Sequence, residues 1–233
     1  MSVRLSLFLI VTLALFSCGS AEHQNEQNLP ADKKEQKQKE AEKPADKSVI
    51  LFFGNSLTAG YGLANQNEAF PSLIQAKIDS LKLPYQVVNA GLSGETSADG
   101  NARIDWLLKQ PIAIFVLELG ANDGLRGIPT ETTYTNLNHI VEKVKAKNPA
   151  CQLLLAGMLV PPSMGKTYSQ EFKAIFPRLA KEQHMTLIPF LLDGVAGEAD
   201  LNQDDGIHPT AGGHQILAEN VWKVLSPMLK QSR

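Results

Sequence analysis

The feature that most constrains this chain is a set of short apolar runs separated by longer amphipathic stretches. Val49-Ile50-Leu51-Phe52-Phe53 is continuously apolar and is closed by Gly54. A strand without polar alternation must be buried on both faces. Further strand-like runs occupy residues 86–89, 112–119, 152–157 and 186–189. Between and after them, helical periodicity covers residues 69–81, 98–109, 132–147, 169–184 and 212–225. Strands alternating with helices of this length predict an α/β domain with a parallel sheet covered on both faces and joined by right-handed crossovers. The expected domain spans residues 48–230. No repeat of solenoid period is visible.

The N-terminus has a different character. A basic start at Arg4 is followed by an apolar run from Leu5 to Phe16, the pattern of an export signal and too short for a comfortable membrane span. The run ends in Leu15-Phe16-Ser17-Cys18, which resembles the bacterial lipobox, where a cysteine receives lipid and becomes the new N-terminus. Residues 1–17 are therefore expected to be a lipoprotein signal peptide. Residues 18–47 are rich in Glu, Lys, Gln, Asn and Ala with almost no large apolar side chain, and are expected to be a disordered, lipid-anchored linker. As a flexible tether it would reach roughly 30 Å. The expected location is the bacterial cell envelope, with Gly19 after the cysteine favouring the outer membrane in a Gram-negative cell.

The 22 basic and 24 acidic residues leave a net charge of −2, which gives no electrostatic case for a nucleic-acid partner. The second cysteine, Cys151, opens an apolar run and reads as core. Two cysteines build no metal framework, and with Cys18 lipidated no disulfide is possible, so stability must come from packing.

In open parallel sheets, reactive groups collect beyond the carboxyl ends of the strands. Three polar, glycine-rich segments fall there: Gly54-Asn55-Ser56-Leu57-Thr58, Gly91-Leu92-Ser93-Gly94-Glu95-Thr96 and Gly120-Ala121-Asn122-Asp123-Gly124. A fourth, Asp204-Asp205-Gly206-Ile207-His208-Pro209, follows the last short strand. Singly each is ordinary turn chemistry. Together they offer a hydroxyl, an imidazole, a carboxylate and several amide donors at one rim, the inventory of acyl transfer. Ser56 is the expected nucleophile, His208 its general base and Asp205 the group that orients the base, with Asp204 as the alternative carboxylate and His214 as the alternative imidazole. His23 falls in the linker, and His139 and His184 on helical stretches. An oxyanion hole is expected from the backbone N–H of Ser56, the backbone N–H of Gly94, where a side chain would crowd the substrate, and the side-chain amide of Asn122. The G-x-S-x-G nucleophile elbow is absent, since Thr58 stands where its second glycine would fall.

These four segments, in this order, resemble the blocks of the SGNH hydrolases, also called GDSL esterases: Gly54 to Gly62 the nucleophile block, Gly91 to Gly94 the glycine block, Gly120 to Gly124 the asparagine block, and Asp205 to Pro209 the histidine block. Leu125-Arg126-Gly127 is similar to the exported bacterial thioesterase, arylesterase and lysophospholipase branch. The resemblance implies a three-layer α/β/α, flavodoxin-like fold with a five-stranded parallel sheet. It also implies no metal or organic cofactor and hydrolysis through an acyl-enzyme on Ser56. One departure stands out. The family usually has aspartate where this chain has Asn55, an exchange expected to leave activity intact and to alter its pH dependence or rate.

The expected substrate is a small-molecule or lipid ester, or a thioester, of short to medium acyl chain. Leu92, Leu125, Ile128 and residues 159–168 are the candidate pocket, with Pro161 to Gly165 as its rim. Two other readings are an esterase that removes O-acetyl groups from polysaccharide and a catalytically degenerate surface lipoprotein that only binds.

Overall fold

The computed structural model describes residues 47–229. The signal expected over residues 1–17 and the linker expected over residues 18–47, Cys18 included, lie outside the described residues except for Lys47. Five parallel strands form one sheet in the order β2-β1-β3-β4-β5: β1 is Ser48–Gly54, β2 Tyr85–Gly91, β3 Ile114–Glu118, β4 Gln152–Ala156 and β5 Thr186–Ile188. The chain moves outward from β1 to β2, then returns to the other side of β1 for β3. That reversal makes a crevice at the carboxyl ends of β1 and β3, the switch point where doubly wound sheets place their ligands.

Seven α-helices are present among the described residues: α1 Ser56–Ala59, α2 Phe70–Ser80, α3 Ser97–Arg103, α4 Ala121–Leu125, α5 Thr130–Lys147, α6 Lys166–Gln183 and α7 Ala211–Leu225. α2 and α7 pack together on one face of the sheet, while α5 packs against both α3 and α6 on the other. The result is the expected three-layer α/β/α arrangement. Side chains of β1 alternate between the two layers as a strand's geometry requires. Phe52 meets Phe70 of α2 edge to face at 5.6 Å, whereas Phe53 lies beneath the Arg103 guanidinium of α3. Ile50, Phe52, Phe53, Ile114, Phe115 and Leu117 are fully buried, which explains why β1 and β3 have apolar sequences without alternation.

Two expectations need correction. The helix expected over residues 98–109 ends at Arg103 and passes into a single 3₁₀ turn, Ile104–Trp106. The apolar periodicity there counts Trp106, yet Trp106 is 72% exposed under Lys109 and buries nothing against the sheet. The segments after β1 and β3, expected as turns, instead wind into the short helices α1 and α4. Asn55 starts α1 by accepting the Leu57 N–H at 3.1 Å through its side-chain oxygen, the N-cap contact that makes so short a helix tenable.

Candidate active site

Ser56 stands two residues past the end of β1, after the N-cap Asn55, as the first residue of α1, and is 8% exposed at the floor of the crevice. Its hydroxyl oxygen lies 2.9 Å from His208 Nε2. His208 Nδ1 is 2.6 Å from Asp205 Oδ2, and Asp205 Oδ1 accepts the backbone N–H groups of Ile207 and His208, each at 3.0 Å. The hydrogen bond from His208, followed by those two N–H groups, lowers the Asp205 carboxyl to about 2, so it is an anion that can only accept. Nδ1 must therefore carry the imidazole proton. Nε2 is left with a lone pair directed at the Ser56 hydroxyl, the arrangement a general base requires.

Three contacts hold this array. The Tyr61 ring packs against the His208 ring with centroids 4.7 Å apart. The Gln203 backbone N–H donates to the His208 carbonyl at 2.7 Å. The Gln203 side-chain amide donates to the carbonyls of Tyr61 and Pro209 at 2.8 and 3.0 Å, tying the nucleophile loop to the histidine loop. It is Asp205, not Asp204, that bonds to His208. His214 is 1% exposed and accepts the Phe70 N–H at Nδ1, 3.2 Å away. Burial, and then the charge of His208, pushes it down to about 4, so it is a neutral core group. His139 lies exposed on α5, and His184 lies exposed just past the end of α6, as its left-handed C-cap.

Gly94 and Asn122 face the same crevice as Ser56. The Asn122 side-chain amide donates to the Glu95 carbonyl at 2.9 Å, which fixes its plane and leaves its second N–H. The Glu95 carboxylate is gripped by both Nε and Nη2 of Arg103, at 2.6 and 2.5 Å, and Arg103 also donates to the Ala90 carbonyl. Arg126 donates to the Gly94 carbonyl at 3.0 Å. Backbone conformation gives a further reason for glycine at 94. A Cβ there would meet nothing of the protein within 4 Å, whereas φ is +84°, a conformation L side chains rarely adopt. Backbone geometry thus selects glycine whatever clearance a substrate needs.

The crevice opens into a cavity of about 850 Å³. Its apolar arm is formed by Leu125, Met158, Val160, Phe190, Leu192 and Ile207. Of the expected pocket residues, Leu125 lines this cavity, as do Leu159 to Pro162, but Leu92 and Ile128 do not. Leu92 is 52% exposed ahead of the Gly94 turn. Ile128 follows Gly127, whose φ of +66° turns the chain away, and its carbonyl accepts from the Tyr168 hydroxyl at 2.7 Å. Sequence reasoning missed Met158, Phe190 and Leu192. The strand-edge rule that located the four blocks also applies to residues just beyond β4 and β5, so that signal was available. Among the described residues, no group of three or more His, Cys, Asp or Glu could hold a metal ion, and no helix is long and apolar enough to cross a membrane.

Residues 52–216 match the GDSL-like Lipase/Acylhydrolase family. The chain is 37% identical over 182 residues to Esterase TesA of Pseudomonas aeruginosa, covering 78% of this chain and 89% of that protein. It is 40% identical over 182 residues to Thioesterase 1/protease 1/lysophospholipase L1 of Escherichia coli, covering 78% and 85%. Among solved structures, the psychrotrophic esterase EstA from Pseudoalteromonas sp., in a form inhibited by monoethylphosphonate, superimposes with a TM-score of 0.73 at 34% identity, covering 78% of this chain and 98% of EstA. With this fold, these four ordered blocks and these relatives, the chain belongs to the GDSL-like lipase/acylhydrolase family, the SGNH hydrolases, and is a serine esterase.

Proposed function

We propose that Ser56, His208 and Asp205 form the catalytic triad, that the Ser56 N–H, the Gly94 N–H and the Asn122 amide form the oxyanion hole, and that the substrate is an ester or thioester with a short to medium apolar acyl chain. The observation that carries this reading is the unbroken hydrogen-bonded series Ser56 Oγ, His208 Nε2, His208 Nδ1, Asp205 Oδ2 at the mouth of an apolar cavity.

In this mechanism His208 Nε2 takes the Ser56 proton as Oγ attacks the carbonyl carbon, and the former carbonyl oxygen becomes an anion held by the three donors. The imidazolium then protonates the leaving oxygen or sulfur, and the acyl group stays on Ser56. Water, deprotonated by the same imidazole, attacks the acyl-enzyme and regenerates the hydroxyl. The Asp205 anion stabilises each imidazolium along the way. At about 850 Å³ the cavity is within the range of small-molecule sites. Its apolar walls favour an acyl chain over an acetylated sugar, whose hydroxyls would lose water without gaining partners there.

Labelling by a fluorophosphonate tests the reading. Wild type and Ser93→Ala should take up one equivalent, and Ser56→Ala none. Unlabelled, folded wild type would sink the proposal. In a chain-length panel, p-nitrophenyl butyrate, hexanoate and octanoate should be cleaved faster than acetylated xylan; the reverse order would favour the polysaccharide reading.

The domain is further proposed to be exported and held on the bacterial envelope, on the outer membrane in a Gram-negative cell, by lipid on Cys18. Support comes from the apolar run ending in Leu15-Phe16-Ser17-Cys18 and the polar linker that follows.

A further inference from the structure

One buried ionisable group has no part in the chemistry above. Glu118, the last residue of β3, is 1% exposed. Its Oε2 accepts three hydrogen bonds, from the Asn55 N–H at 3.1 Å, the Thr58 N–H at 3.2 Å and the Thr58 hydroxyl at 2.7 Å. These donors flank Ser56 on both sides. Gly54 also belongs to this arrangement, because a Cβ there would lie 2.1 Å from Thr58 Oγ1 and 2.5 Å from Glu118 Oε2. The glycine, the asparagine and the threonine of Gly54-Asn55-Ser56-Leu57-Thr58 are thus all fitted to one carboxyl group.

Two further atoms bear on its charge. Asn55 Nδ2 and Glu118 Oε1 are both buried and make no hydrogen bond. Asn55 Oδ1 is turned the other way, toward the Leu57 N–H and, at 3.5 Å, the Ser56 hydroxyl. A carboxyl group enclosed in protein resists ionisation unless donors surround it. Burial raises Glu118 to about 7, opposed by the hydrogen bonds of Thr58 and Asn55, with no charged side chain contributing. The groups facing it are Gly54 from β1 and Asn55 and Thr58 from the nucleophile turn, all uncharged. Across Ser56 Oγ stands His208, with Asp205 behind it.

We propose that Glu118 is a positioning residue for Ser56: its anion clamps Asn55 and Thr58 from beneath and so fixes the serine hydroxyl against His208, and the neutral amide at Asn55 is what permits that anion. This rests on Ser56 being the nucleophile. An aspartate at 55 would place a second carboxyl beside the first, and two such groups in one buried space do not both ionise readily. Glu118 would then keep its proton to higher pH, and the clamp would engage later.

The test is kcat and kcat/KM against pH with p-nitrophenyl butyrate for wild type, Glu118→Gln and Asn55→Asp, each first checked for folding by circular dichroism and for fluorophosphonate labelling. The wild-type acid limb of log kcat/KM should approach a slope of two, one proton for His208 and one for Glu118. Glu118→Gln should show a slope of one, with kcat reduced roughly ten- to a hundredfold at high pH and KM nearly unchanged. In Asn55→Asp the second acidic inflection should move upward by about one unit or more. Superimposable acid limbs in all three proteins, with Ser56 labelled in each, would overturn this proposal while leaving Ser56 as the nucleophile. Wild type that is folded but unlabelled would overturn both. If Glu118→Gln does not fold, Asn55→Asp decides alone: an unmoved acid limb rejects the clamp.

Discussion

Asp205 holds His208 at two points: Oδ2 takes the ring Nδ1–H at 2.6 Å and Oδ1 takes the backbone N–H of the same residue at 3.0 Å. The carboxylate therefore fixes both the tautomer of the imidazole and the turn that carries it. Asp205→Asn should lower kcat by roughly 10³- to 10⁴-fold, whereas Asp204→Asn should stay close to wild type. Because the Asp205 carboxyl is lowered to about 2, its loss of charge cannot set an acid limb between pH 5 and 8. Its contribution to stability is complete above about pH 4, the ordinary carboxylate value, and is lost as pH falls through 2. Urea unfolding of wild type and Asp205→Asn between pH 2 and 6 measures this.

Asn122→Ala removes the proposed oxyanion donor, whose plane is set by Glu95, and should cost about 100- to 1,000-fold in kcat with little change in KM. Arg103→Met should cost less, since Arg103 reaches Asn122 only indirectly, by holding the Glu95 whose carbonyl takes the Asn122 amide. A fall in KM-limited binding without a fall in kcat for Asn122→Ala would remove it from the oxyanion hole. Steady-state kinetics on one ester settles the point.

Phe190 and Met158 face the cavity from beyond β5 and β4. Met158→Trp should fill the apolar arm and shift preference toward short chains, lowering kcat/KM for octanoate at least tenfold relative to acetate. An unchanged octanoate-to-acetate ratio would show that the acyl chain lies elsewhere.

His214 and Glu118 impose opposite pH dependences on folding. His214 is lowered to about 4, so between pH 6.5 and 4 the unfolded chain binds a proton that the folded one refuses, and stability falls as pH decreases through that window. Glu118 is raised to about 7, so between pH 4.5 and 7 the folded chain binds the extra proton, and stability falls as pH increases. His214→Gln should reduce the loss of stability on acidification from pH 7 to 5, and Glu118→Gln should reduce the loss in the other direction. Denaturant melts at the two pH values give both signs.

If lipid on Cys18 holds the protein, Cys18→Ala should abolish labelling by radioactive palmitate and release the protein from the membrane fraction. A wild-type protein recovered in the soluble fraction without palmitate would reject the anchor.

The sequence alone determined what local pattern can carry. β1 and β3 were legible because a strand buried on both faces has no polar alternation, and Phe52, Phe53, Phe115 and Leu117 leave no other reading. The four blocks were legible because parallel strands deliver the segments after them to one edge, so Ser56, Gly94, Asn122 and His208 could be grouped without coordinates. Tertiary structure decided matters of distance between residues remote in the chain. It put Asp205, not Asp204, on the His208 ring, and among the described residues it is His208, not His214, that comes within 2.9 Å of a hydroxyl 152 positions away. It added positive φ as a reason for glycine at 94. It brought Glu118 under a serine turn 60 residues earlier, a relation without local signal since a glutamate ending a buried strand has no periodicity to betray its partner. Periodicity reports which face of an element is buried; it does not report which two buried groups touch.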